Sequence, residues 1–278
     1  MEMKIKSNYH THTFLCKHAV GDVDDYVKRA ISLGYDTIAI TDHGPFTEKL
    51  RKKIHSRRMS LAQYNEVYLD HLERAKKDHS DKIKILTGVE IEYLEDLEIL
   101  YKQFISELDL LILGQHYLKK EDGTFLSIYE MEFTEENVDL YCNSVINAME
   151  TGYFKIFAHP DIFLWNIREW NELCEKTTRR LVSAAIKNNI VLEINVNGVR
   201  NAFYQEKTFY TNGKLNFPYP RREFWNIAKE MKATIIINDD AHAPNRIQDE
   251  FTIAVYKEVN RLGIKYIEDL DVLNKTNE

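Results

Sequence analysis

The chain has 278 residues, 44% hydrophobic and 29% charged, with a net charge of −7. This is an ordinary soluble globular composition, long enough for one α/β domain or two small ones. It argues against non-specific nucleic-acid binding, against a membrane span, because no run of about 18 apolar residues occurs, and against a disulfide framework, because Cys16, Cys142 and Cys174 are scattered without a CxxC. A small anionic substrate stays compatible with the charge, since bound cations reverse a local field. The opening Met1-Glu2-Met3-Lys4-Ile5-Lys6 lacks the apolar core of a secretion signal. With reduced cysteines, this predicts a cytoplasmic protein. Cys16, close to two histidines, is expected to be a small buried residue rather than a thiolate ligand.

In chain order, residues 5–9 are strand-like. Val23, Tyr26, Val27, Ala30 and Ile31 recur at helical spacing, and Gly34 ends that helix. Residues 37–41 form a short apolar run of the buried parallel type. Residues 60–78 read as a helix opened by a Ser60/Gln63 capping box. A third strand is expected over 83–89, a helix over 97–106, and a fourth strand over 110–114. A helix over 135–152 leads to a fifth strand at 154–158, and one over 177–188 to a sixth at 191–194. Pro220 suits the first turn of a helix ending near Met231. A seventh strand at 234–237 and a helix over 248–262 complete the pattern. Strand alternating with helix implies a parallel sheet with right-handed crossovers, and seven such units favour a distorted (β/α)7 barrel. No Gly/Ser/Pro-rich linker interrupts them, so residues 1–278 are read as one domain.

The polar residues fall at the strand ends: His10-Thr11-His12, Asp42-His43, Gly88-Val89-Glu90, Gln115-His116, His159-Pro160-Asp161, Asn195 with Arg200 following, and Asp239-Asp240-Ala241-His242. In a parallel barrel these ends share one rim, the C-terminal one, where such folds place chemistry. Side chains alternate along a strand, so His10 and His12 point the same way, as do Asp240 and His242. Barrel closure would bring the two pairs together. Imidazole with carboxylate is the ligand set of hydrolytic zinc, manganese and iron sites. A lone strand-end histidine is ordinarily structural, but seven of the ten histidines cluster this way. His55, His71 and His79 lie in charged sequence and are expected to be solvated.

The motifs His10-x-His12, His18, Thr41-Asp42-His43, Gly88-Val89-Glu90, Gly114-Gln115-His116, Ala158-His159-Pro160-Asp161 and Asp240-Ala241-His242 resemble the PHP (polymerase and histidinol phosphatase) superfamily. Their order and spacing look like its stand-alone histidinol-phosphatase branch. Asn195-Val196-Asn197-Gly198-Val199-Arg200 is similar to that branch's Asn-x-x-Gly-hydrophobic-Arg segment. The resemblance implies three divalent metals, zinc, manganese or iron. A first would take His10, His12, Glu90 and Asp240. A second would take Glu90, His116 and His159, with Glu90 bridging, and a third His18, His43 and His242. Asp42 would orient a ligand histidine. Asp239 stands where the family commonly has Ser, and is expected to turn away from the metals.

The implied reaction is hydrolysis of a phosphate monoester, L-histidinol phosphate, by a metal-activated water. His242 or Asp42 would pass a proton to the leaving group. Arg200 and Arg168 are the expected phosphate clamps, because guanidinium offers the fork that phosphate needs. Asp161 would pair with the substrate amine, and Tyr117, Phe163 or Trp165 would stack on its imidazole. The basic run Lys49, Arg51, Lys52 and Lys53, with Arg57 and Arg58, reads as a solvated face or a phosphate-attracting lid. Residues 119–133, with a turn at Gly123, are a second lid candidate. The alternatives are another phosphoesterase on the same scaffold (a nuclease, a nucleotide phosphatase or a protein-tyrosine phosphatase) or a non-catalytic metal module. A small phosphorylated substrate is the expected partner, with neither membrane nor nucleic acid.

Overall fold

Each apolar run expected to be a strand pairs in parallel with its neighbours, and the amphipathic segments between them cover the outside. The structure, a computed structural model, describes residues 4–54 and 57–273, so His55 lies outside the described residues. In chain order the strands are β1 (Ser7–Asn8), β2 (Thr37–Ile40), β3 (Lys84–Ile91), β4 (Leu110–Leu113), β5 (Tyr117–Lys119), β6 (Phe125–Ser127), β7 (Ile156–Phe157), β8 (Val191–Asn195), β9 (Phe209–Thr211), β10 (Lys214–Asn216) and β11 (Ile235–Asn238). Seven of them form one sheet, β1-β2-β3-β4-β7-β8-β11, and every pair in it is parallel. The remaining strands make two antiparallel hairpins, β5-β6 and β9-β10.

The sheet curls into a nearly closed barrel. Between β11 and β1 the closure is made at the C-terminal end by a parallel bridge, Thr11 to Ala241. His12 N–H donates to Ala241 O at 2.9 Å, and Ala241 N–H to His10 O at 3.1 Å. Lower down, side-chain amides replace the ladder: Asn238 Oδ1 accepts from Tyr9 N–H at 2.9 Å and Asn8 Oδ1 from Asp239 N–H at 2.8 Å. Buried backbone donors need partners, and these two asparagines provide them where the strands splay. That is why β1 is shorter than the run over 5–9 suggested.

Two apolar clusters follow from side-chain alternation. A small inner one fills the barrel with Tyr9, Ala39, Leu110, Ile112, Ile156, Ala158, Val191 and Ile236. A larger outer one joins the barrel to the helices, for example through Val23, Tyr26, Val27 and Ala30 of the helix Val23–Ser32. Each large apolar side chain buried there contributes roughly 1.5–3 kcal/mol. The capping box at Ser60 and Gln63 is formed, and the helix it opens contains a π-helical turn, Tyr64–Tyr68, before continuing as Leu69–His79. The turn aims the buried Tyr68 at the strand ends, where its hydroxyl donates to Gly88 O at 2.8 Å and accepts from Asp42 N–H at 3.2 Å.

Several elements differ from the sequence expectation. The basic run folds as the helix Glu48–Ile54, held by buried Leu50 and Ile54. The second lid candidate contains the β5-β6 hairpin, with Gly123 at φ 79° in its turn. A helix, Val196–Tyr204, follows β8 directly. Pro220 precedes the N-cap Arg221 of the helix Arg222–Glu230 instead of entering its first turn. His79 is not solvated but pairs with Asp24 at 2.7 Å. Among the described residues no helix is long and apolar enough to cross a membrane.

Candidate metal centre

The strand ends bring ligand-type atoms into five overlapping groups, three of which match the expected sets: His10, His12 and Asp240; Glu90, His116 and His159; and His18, His43 and His242, linked by His12, His43 and Glu90 and by His12, Cys16 and His242. The first group, with Glu90, has informative distances. His10 Nε2 lies 3.0 Å from His12 Nε2, 3.4 Å from Glu90 Oε2 and 3.7 Å from Asp240 Oδ1. His12 Nε2 lies 3.6 Å from Glu90 Oε2 and 2.9 Å from Asp240 Oδ1. Four ligand atoms around a tetrahedral ion with bonds near 2.0–2.1 Å are separated by about 3.3 Å, so the spacing suits a cation. Glu90 Oε2 and Asp240 Oδ1 are buried without a hydrogen-bond partner. Orphaned buried carboxylate oxygens are costly, and a cation between them removes the cost.

Local structure holds this geometry. Glu90 reaches both the first and second groups, with Oε1 2.9 Å from His159 Nε2 and 3.7 Å from His116 Nε2. Gly114 makes room for it, since a Cβ there would sit 2.0 Å from Glu90 Oε1. His159 (φ 35°) and Asp240 (φ 46°) occupy the left-handed backbone region, a local strain of the kind concentrated at functional sites. At His159 it turns the ring onto Glu90 just after the inward-facing Ala158.

The ring tautomers follow from hydrogen bonding. Nδ1–H of His10 donates to Glu193 Oε1 at 2.8 Å, of His116 to Glu92 Oε1 at 3.0 Å, of His18 to Cys16 O at 2.7 Å, and of His242 to Asp240 O at 3.1 Å. Each bond leaves an Nε2 lone pair for the site. Glu193 also accepts from Asn195 and Asn238 Nδ2, both at 2.9 Å, and from His159 N–H at 3.2 Å.

Electrostatics agree with this picture. Burial and then the charge of His12 push His43 well below the usual imidazole range and His242 down to about 3. Burial, again followed by His12, lowers His18. The shifts favour the neutral form of all three, the form that a metal ligand takes. Burial would lower His10 and His12 too, but facing carboxylates more than reverse it, taking His12 up to about 9. Burial would raise Glu90 and Asp240, and the imidazoles instead hold both well below the carboxylate range. The site therefore favours positive charge among ionised carboxylates.

Not every expected residue joins it. Asp42 is buried behind His12, its Oδ1 3.6 Å from His12 Nδ1 and accepting from His43 N–H at 2.7 Å; its Oδ2 accepts from the Thr13 amide and hydroxyl. With both oxygens engaged and no part in the cavity lining, it orients ligands and is not placed to pass a proton to a leaving group; His242 does line the cavity. Arg200 is also buried: it bonds Asp249 Oδ2 at 2.7 Å, Asp239 O at 2.6 Å and Arg246 O at 2.8 Å. That commitment removes it as a phosphate clamp. Asp239 turns away from the metal groups as expected, but into this buried network, accepting from Thr252 Oγ1 at 2.5 Å. Arg168 is exposed and absent from the cavity lining. Asp161 is buried, with Oδ2 accepting from Arg221 N–H at 2.6 Å and Trp225 Nε1–H at 3.1 Å, so it caps a helix start instead of meeting an amine. Phe163 stacks in the core on Tyr141 and Phe133, and buried Trp165 packs between Tyr129 and Tyr219. Cys16 is buried, and burial raises its thiol, although it lies within ligand distance of His12 and His242.

A cavity of about 560 Å³ opens over the metal groups, with Glu90, Asp240, His116 and His242 in its lining beside Tyr117, Tyr129, Asn197, Arg57, Arg58 and Arg246. Glu92, Glu193, Arg246 and Tyr129 were not picked out from the sequence. Glu92 had a signal, being two residues beyond Glu90 and so on the same strand face.

The comparisons agree with this fold. The PHP domain model matches residues 8–197, more than half of the 278 residues. The histidinol-phosphatase of Bacillus subtilis is 24% identical, over 85% of this chain and 93% of its own length. A Listeria monocytogenes chain, itself only provisionally assigned as a histidinol phosphatase, superposes with a TM-score of 0.70 at 21% identity, covering 89% of this chain and 99% of that one. The histidinol phosphate phosphatase of Lactococcus lactis, solved with zinc, L-histidinol and phosphate, superposes with a TM-score of 0.66 at 18% identity, covering 95% of each chain. At these identities the superpositions speak for the fold. Asp240 and His242 lie beyond the matched segment but share candidate groups with His10, His12, His18 and His43, and the chain belongs to the PHP domain family.

Proposed function

We propose that this protein is a metal-dependent phosphomonoesterase that hydrolyses L-histidinol phosphate to L-histidinol and phosphate. The observation that carries the reading is the convergence of seven imidazoles with Glu90 and Asp240, each carboxylate with one orphaned buried oxygen, beneath an open cavity. Three divalent ions fit the three groups: His10, His12, Glu90 and Asp240; Glu90, His116 and His159; and His18, His43 and His242. When bound, such ions polarise phosphoryl oxygens and lower the pKa of water. Glu90 joins the first two groups, and Glu193, Glu92 and Asp42 hold ligand rings in register. Asn195 and Asn197 donate to Asp240 Oδ2 at 3.1 and 3.3 Å, steadying the carboxylate whose other oxygen faces His12. Tyr117 and Tyr129 line the same cavity and offer ring faces to an imidazole.

The relatives support the substrate, since this chain aligns with the Bacillus subtilis histidinol-phosphatase over 93% of that protein's length. Others, such as one from Acetivibrio thermocellus, carry only a general phosphatase assignment, which keeps a phosphomonoesterase of another substrate as the second reading. A phosphate-release panel with added manganese or zinc separates them. Histidinol phosphate should exceed nucleotides and phosphotyrosine in kcat/KM by about two orders of magnitude. A nucleotide or phosphotyrosine leading the panel would remove the histidinol assignment.

A further inference from the structure

The cavity mouth carries two arginines that no carboxylate claims. Arg57, after the helix Glu48–Ile54, is exposed; Arg246, in the 3-10 turn Pro244–Arg246, is half-buried; both line the cavity. Neither guanidinium has an ion pair among the described residues. Arg58, their neighbour in the cavity lining, is committed to Glu92, and Arg200 is committed to Asp249; Arg29, Arg168 and Arg221 also lack a carboxylate partner among the described residues but do not line this cavity. In a chain with a net charge of −7, carboxylates are plentiful. What sets Arg57 and Arg246 apart is their place: both unclaimed guanidinia belong to the lining that also holds Glu90, His116, Asp240 and His242.

Backbone bonds fix the base of Arg246, and side-chain contacts fix Arg58 next to Arg57. The Arg246 amide donates to Ala243 O at 2.9 Å, and its carbonyl accepts from Arg200 Nη2 at 2.8 Å. Arg58, the neighbour of Arg57, is held by Glu92 and lies 4.5 Å over the Phe46 ring. Arg57 comes from the connection after β2 and Arg246 from the segment after β11. β1, which leads into His10 and His12, lies between them. The two arginines thus reach one cavity lining from segments on either side of β1.

We propose that Arg57 and Arg246 grip the phosphoryl oxygens of the substrate, and that this pair favours a phosphate monoester dianion over a diester monoanion. The inference rests on the phosphohydrolase reading above. Near neutral pH a monoester carries close to two negative charges, whereas a diester carries one and has fewer free oxygens for two guanidinium forks. Charge-assisted hydrogen bonds of this kind are among the strong ones, and losing one weakens binding by roughly 10-fold or more.

The test uses the full-length, manganese-loaded protein and the variants Arg57→Gln, Arg246→Gln, Arg57→Lys and Arg246→Lys, with exposed Arg74→Gln as control. Inorganic phosphate binding is measured by calorimetry, bound manganese by elemental analysis, and turnover with histidinol phosphate and with bis(p-nitrophenyl) phosphate. Each Gln variant should keep its manganese, bind phosphate about 10-fold more weakly or worse, and lose kcat/KM on the monoester more than on the diester. The Lys variants should recover part of the loss. Wild-type phosphate affinity in both Gln variants, equal losses on monoester and diester, or manganese loss shared by Gln and Lys variants would overturn the proposal. If phosphate binding depends on both arginines while histidinol phosphate is not turned over, the substrate reading fails and the grip stands. If histidinol phosphate is turned over equally by all variants, the grip fails and the substrate reading stands.

Discussion

Two buried charge clusters lie back to back at the barrel rim, and they are built oppositely. Around Arg200, each charge meets another inside the protein: Asp249 binds the guanidinium through both oxygens, and Asp239 accepts from Thr252 and the Gln248 amide. Around Glu90 and Asp240, one oxygen of each carboxylate has no hydrogen-bond partner, and the His10 and His12 Nε2 atoms face each other at 3.0 Å. The divide runs between consecutive residues, with Asp239 turned to the closed cluster and Asp240 to the open one. A closed cluster holds the fold; carboxylate oxygens left without a donor suit a cation. Burial and charge alone do not separate the two, whereas hydrogen-bond satisfaction does.

That contrast breaks most readily at the open cluster. Stripping divalent ions with a chelator should lower phosphate release by at least about three orders of magnitude, with recovery on adding manganese or zinc. Undiminished turnover in the stripped protein would show that the cluster is not a working site. At the closed cluster, Arg200→Met should cost about 3–5 kcal/mol in urea unfolding, because Asp239 and Asp249 are left buried without their cation. The surviving folded enzyme should keep its KM. A raised KM at unchanged stability would instead return Arg200 to the substrate site. Glu193→Gln sharpens the comparison, because Glu193 orients a ligand without being one. It should weaken metal binding by about 10–100-fold, read by competition with a chromogenic chelator, and unchanged metal affinity would leave Glu193 a purely structural residue.

Much of the barrel and its rim is legible in the sequence for one reason: short apolar runs end abruptly in His, Asp or Glu. The run 37–41 into Asp42-His43 is an instance, as is the 5–9 run into His10-Thr11-His12. What was illegible depends on tertiary direction. Arg200 follows β8 onto the rim, but Asp239 and Asp249 pull its head away from the cavity. Arg246 lies in a segment without hydrophobic periodicity, so nothing local aims it at the site, whereas Arg57 belongs to the basic run read as a solvated face or a phosphate-attracting lid. Glu193 sits inside an apolar strand, where its charge makes sense only once His10, Asn195 and Asn238 surround it. The helix Val196–Tyr204 was hidden by its glycine, a poor helix former. That glycine is required by packing: a Cβ on Gly198 would lie 2.4 Å from the Tyr219 ring.

The account is tested most directly by locating metal through anomalous diffraction from crystals grown with manganese or zinc. It predicts a peak about 2.0–2.3 Å from the Nε2 atoms of His10 and His12 and from an Asp240 oxygen, with further peaks beside His116 and His159 and beside His18 and His242. Density maps with those side chains ordered and no anomalous peak among them would contradict it.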